Sequence, residues 1–145
     1  MKERFGGIIL DTSFRILVPF TLVYGIYVLI HGEYSPGGGF QAGALLAVGI
    51  VLARLIQGEE AMFNISGEKA LILAGIGTLI YALVGFYTML AGGKFLEYEK
   101  LPIPVHEAAE LHAYGILAIE IGVTLCVMTT IIAILDALTR GEDLL

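Results

Sequence analysis

A chain of 145 residues that is 57% hydrophobic and 15% charged, with a mean hydropathy of +0.86, is too apolar for an ordinary soluble domain, where about 25% of residues are charged. The formal net charge of −6 comes with no basic stripe able to neutralise phosphates, which excludes nucleic acid as a partner. The single cysteine, Cys126, lies in an apolar run, excludes an internal disulfide and reads as a small buried hydrophobe.

The length predicts one membrane domain over residues 1–145, an all-α polytopic chain with four transmembrane helices. Its N-terminus, "MKERFGG", has an acid near its start and no small-residue cleavage site, so it does not read as a removable signal peptide. The first span is predicted over 14–31, with Asp11, Thr12 and Ser13 as candidate N-caps and Pro19 in the opening turns. His31 closes it as an interface histidine. The stretch "HGEYSPGGGFQAG" follows, and the short second span covers 40–56. Gly39 and Gly43 form a GxxxG step that Ala47 continues, a face on which helix backbones approach closely in lipid, within this chain or against another. Gln41 is placed to hydrogen-bond across that contact. The third span, 70–91, is uncharged. Tyr24, Tyr27, Tyr81 and Tyr87 read as packing or interfacial aromatics. "GGKFLEYEKLPIPV" reads as an extended loop before the fourth span at 111–138.

Orientation follows from the basic residues. Lys2, Arg4, Arg15, Arg54, Lys69 and Arg140 share one side of a four-span chain, and only Lys94 and Lys100 lie on the other. That asymmetry predicts both termini in the cytoplasm and the glycine stretch outside.

Within the fourth span, Glu120 stands among apolar neighbours, where an ionised carboxylate costs about 2.5–3.5 kcal/mol on insertion scales. The acid is expected to stay protonated or to face water or a partner, and either state suits a proton or cation relay. At about 100° per residue, His106, Glu110, Ala113, Leu117, Glu120 and Thr124 fall on one stripe, provided the helix begins by His106. His106 and Glu110 are therefore candidate uptake residues above Glu120; a headgroup-facing surface role is the plain alternative for both, and for Glu107 and His112. The two histidines of "HEAAELH" are six apart rather than four, which disfavours zinc, so no metal site is expected. No nucleophile elbow, P-loop or haem or iron–sulfur spacing is present, so no cofactor and no single-chain enzyme are expected.

The run Pro36, Gly37, Gly38, Gly39, Phe40 with Gly43 beyond it resembles the signature of the B subunit of Mrp-type multisubunit sodium/proton antiporters, the MnhB-like family. "AIEIGV" is similar to that family's acid before a Gly-Val, with Glu120 where many members carry aspartate. The likeness covers nearly the whole chain. It implies a multi-pass subunit in a prokaryotic cytoplasmic membrane, packed among other small membrane subunits of an Mrp-like complex that moves sodium ions and protons. Related B-type subunits occur in the membrane arms of hydrogenases and sulfur-reducing complexes, where electron transfer belongs to other subunits. The uncharged glycine run, merging into the GxxxG face, reads as a packed seam between subunits, and Glu120 as the intramembrane acid that carries a proton or fixes a charge at a subunit boundary, a structural hydrogen bond in helix packing being the plain alternative. A scaffold without an ion path, and a self-sufficient homodimeric proton-coupled exporter, are the alternatives from other classes.

Overall fold

The computed structural model describes residues 7–32, 37–58, 61, 63–104 and 108–142. Pro36, His106 and Glu107, together with Lys2, Arg4, Glu59 and Glu60, lie outside the described residues. Among those described, all regular structure is helical: α1 (Gly7–Ile30), α2 (Gly39–Gln57), α3 (Gly67–Leu90) and α4 (Ala108–Glu142), with a short 3-10 turn at Tyr98–Lys100. All four helices are long and apolar enough to cross a membrane.

Helix α1 begins seven residues before the expected span. The three expected caps sit inside it, because its own turns satisfy two of them. The buried carboxylate of Asp11 accepts from Arg15 Nε at 3.0 Å, and Thr12 Oγ1 donates to the Ile8 carbonyl at 2.8 Å. Pro19 consequently lies in the helix interior rather than the first turns, where it removes one i→i−4 hydrogen bond. At its far end α2 stops at Gly58, whose φ of +61° favours glycine and whose N–H reaches the Arg54 carbonyl.

The segment between α3 and α4 is folded rather than extended. Buried Thr88 organises it: its hydroxyl lies 2.8 Å from the Gly85 carbonyl and 2.9 Å from that of Lys94, and accepts from the Leu96 N–H at 3.0 Å. Phe95 then covers Gly85, and Tyr98 covers Gly115, where any side chain would strike the ring. Tyr98 also meets the His112 imidazole edge-on, and His112 Nε2 lies 3.6 Å from Glu99. Burial pushes the Tyr98 hydroxyl above its ordinary pKa, and Tyr81 adds to the rise.

The helices form an open row in the order α1, α2, α4, α3, with α1 touching α4 only slightly. Each contact in the row is built on glycine. Gly25 of α1 meets Leu46, and Gly49 of α2 meets Leu22. Gly39 and Gly43 of α2 meet the α4 backbone. Gly77 of α3 and Gly122 of α4 face each other so closely that a Cβ on either would lie within 2.8 Å of the other's carbonyl oxygen. In lipid, apolar surface gives little drive for helix association, so backbone approach of this kind has to supply it. The outward faces are apolar, with Leu90 88% and Ile9 78% exposed. That inversion of a soluble protein's surface suits a hydrocarbon solvent.

These contacts also fix the register. Gly39 and Gly43 against Glu120 and Thr124 make α2 and α4 parallel, whereas Gly77 against Gly122 and Gly67 against Asp136 make α3 antiparallel to α4. Continued along the helices, the register sets Ile30 level with the start of α2, and Leu90 near residue 111 of α4. Helices α1 and α2 therefore stop about nine residues, or ~13 Å, short of the α3–α4 pair. Among the described residues, neither α1 nor α2 covers the upper face of α4 above that step.

Candidate functional site

The step has a cleft of about 320 Å3 above it, lined by Ile30, Glu110, Ala113, Tyr114, Ile116, Leu117 and Glu120. Their spacing on α4 explains the lining. Positions 110, 113, 117 and 120 recur every three or four residues and so share one helix face. Glu110, near the start of α4, is exposed; Glu120, about 15 Å further along the axis, is half-buried. Of the sequence-predicted uptake residues, Glu110 thus shares a cleft with Glu120, whereas His106 lies outside the described residues. His112 stands apart, engaged with Tyr98 and Glu99. Among the described residues no group of three His, Cys, Asp or Glu side chains is arranged to hold a metal ion.

At the cleft floor the Glu120 carboxylate rests against Gly32, just after α1, and Gly38, just before α2. A Cβ built on Gly32 would lie 2.8 Å from both Glu120 carboxylate oxygens, and one on Gly38 would lie 3.1 Å from Oε1. Gly38 is the N-cap of α2 and has no side chain with which to cap it. The acid of α4 thus stands where the first turn of α2 presents its partial positive charge, a position that favours an anion.

One turn onward, the seam closes on backbone. A Cβ on Gly39 would lie 2.5 Å from the Glu120 carbonyl oxygen, and one on Gly43 would lie 2.8 Å from that of Thr124. Thr124 Oγ1, fully inside this contact, donates to the Gly39 carbonyl at 3.0 Å. The GxxxG face therefore packs against α4 of the same chain, with Gly37 against Val28 of α1. Phe40 and Gln41 are exposed and turn away from this seam. They line a groove with Tyr24, Val28, Ala44, Leu45 and Val48, so Gln41 does not hydrogen-bond across the glycine contact. His31 stacks on Tyr27, with ring centroids 4.1 Å apart, and its Nδ1 lies 3.1 Å from the Tyr27 carbonyl oxygen.

The sequence reading missed a second charged contact at the opposite end of the α2–α4 seam. Arg54 Nη1 bonds Asp136 Oδ1 at 2.7 Å, and Nη2 donates to the Ile65 carbonyl. Both side chains are largely buried, 17% and 20% exposed. Arg54 Nε is buried with no hydrogen-bond partner among the described residues. The signal was available: an arginine at the end of span two and an aspartate late in span four come level when the two spans are parallel.

Comparison with known proteins adds a family. A model described as "Domain related to MnhB subunit of Na+/H+ antiporter" matches residues 9–133. The chain is similar to a protein of Staphylococcus haemolyticus (strain JCSC1435) named "Putative antiporter subunit mnhB2", at 30% identity over 146 residues, covering 99% of this chain and 100% of that one. A protein of the same name from Staphylococcus aureus (strain Newman) is 29% identical over 147 residues, covering 99% and 100% respectively.

Proposed function

The chain belongs to the MnhB family, and on that premise we propose that it is a small non-catalytic subunit of an Mrp-like cation/proton antiporter module, in which Glu120 takes part in ion translocation. Its partners are the other small membrane subunits of that module, and its cargo is sodium ions and protons. The setting is a prokaryotic cytoplasmic membrane. The module is a free-standing antiporter or the membrane arm of a hydrogenase or sulfur-reducing complex; a nickel-site subunit encoded nearby would mark the second.

Both termini face the cytoplasm in this reading. Lys69 and Arg54 stand at one end of the helix row, and Lys94 and Lys100 at the other, in keeping with the positive-inside rule. Arg15 and Arg54 are paired with Asp11 and Asp136, but acids weigh little in that rule. The cleft then opens outward, with Glu110 towards its mouth and Glu120 at its floor.

One observation carries the role of Glu120. Its carboxylate is at once half-buried, within an apolar helix, and open to a cleft that runs along the same helix face. A carboxylate serving anchoring alone has no need of such a location, since intramembrane acids are costly. The test is Glu120→Gln, which keeps shape and hydrogen bonding but removes the charge. In vesicles containing the assembled complex, sodium-driven proton movement is expected to fall to background while the subunit remains incorporated. Normal transport with normal incorporation would overturn the ion role and leave the scaffold reading, which the glycine seams also support.

A further inference from the structure

Two glycines bound the Glu120 carboxylate, and they are glycine for different reasons. Gly38 has a φ of +131°, a backbone conformation that disfavours any side chain whatever the space around it. Gly32 is not among the positive-φ residues, so its backbone conformation does not call for glycine. Space does. A Cβ at Gly32 would sit 2.8 Å from Oε1, 2.8 Å from Oε2 and 2.9 Å from the Gly38 Cα. Non-bonded carbon contacts settle at about 3.5–4.0 Å, so the smallest side chain there displaces the carboxylate or pushes the turn open.

We propose that Gly32 is a positioning residue for Glu120: its missing Cβ is the space in which the carboxylate is held at the α2 N-terminus and the cleft floor. The inference rests on the reading of Glu120 as the transporting acid. It adds a residue outside the Pro-Gly-Gly-Gly-Phe run, one that acts through Glu120 and does not itself touch an ion. Losing the seat would move the carboxylate along the cleft and away from the first turn of α2, so transport falls although the acid is still present.

The test is a double-mutant cycle of Gly32→Ala and Glu120→Asp, read as transport per assembled complex. Glu120→Asp withdraws the carboxylate by one methylene and makes room for the new methyl group. The contact of that methyl with Gly38 is common to the single and double variants, so it cancels in the comparison. Gly32→Ala is expected to lose transport, and the double variant to exceed the product of the two single effects by at least about threefold, as expected of side chains in direct contact. Gly75→Ala, at an α3 glycine with open space around it, should transport normally. Normal transport by Gly32→Ala, or a double variant equal to the product of the singles, would overturn the proposal. If Gly32→Ala fails to assemble, restored assembly in the double variant supports the contact and failure to restore it overturns it. Full transport by Glu120→Gln would defeat the ion role itself; loss there combined with an additive cycle would defeat only the role of Gly32.

Discussion

The two ends of the α2–α4 seam each hold an acid of α4, in opposite chemical settings. Asp136 meets the Arg54 guanidinium at 2.7 Å, while Glu120 is fitted against the backbone of Gly32 and Gly38 beneath a cleft. A carboxylate locked to a cation across two helices acts as a clamp, because releasing either partner strands a charge in low dielectric. Glu120, seated on glycine at a helix N-terminus, keeps a face towards the cleft, and in the proposed function it exchanges a proton or cation through that cleft. Under the proposed function, the difference separates holding the subunit together from moving ions through it, although both ends use the same pair of helices.

The clamp end should yield the largest structural effect. Arg54→Ala leaves Asp136 charged and largely buried, and is expected to cost about 3 kcal/mol, visible as a lowered unfolding temperature in mild detergent. Replacing both partners, Arg54→Met with Asp136→Leu, should recover much of that loss; no recovery would mean that the pair does more than clamp. Next comes the glycine seam, where Gly43→Leu drives a side chain against the Thr124 carbonyl and the Val127 side chain. A destabilisation of roughly 1–3 kcal/mol or loss of assembly is expected, and wild-type assembly would show that the α2–α4 contact is dispensable. Thr124→Val removes only the hydroxyl bond to the Gly39 carbonyl, so a loss of about 0.6–1.7 kcal/mol in the same unfolding assay is anticipated. The smallest change belongs to Gly75→Ala, which meets no neighbour and should be neutral or stabilising by up to about 1 kcal/mol.

These expectations also mark what could be seen in the sequence. The spans were visible because long apolar runs follow directly from the hydrocarbon thickness. Where α1 begins was not, because Asp11 and Thr12 carry capping side chains that the helix turns inward on Arg15 and Ile8. The folded segment after α3 was hidden for a related reason. Its organiser, Thr88, lies inside the preceding helix and reaches forward to Lys94 and Leu96, a pattern no local turn signal records. The α4 stripe from Glu110 to Glu120 was legible from helical periodicity alone, and the cleft lies along it. Arg54 counted only as a charge that orients the chain, and nothing local linked it to Asp136 until the parallel register placed them together. Gly32 carried no signal at all: its constraint is the space taken by an acid 88 residues further along the chain.

The contrast between the two ends is tested most directly by neutralising each acid in the same assembled complex. Glu120→Gln and Asp136→Asn are compared by transport per incorporated subunit, with incorporation measured separately. Glu120→Gln is expected to incorporate normally and transport at background, and Asp136→Asn to incorporate poorly while each assembled complex transports at the wild-type rate. Wild-type transport per complex with Glu120→Gln would contradict the ion role.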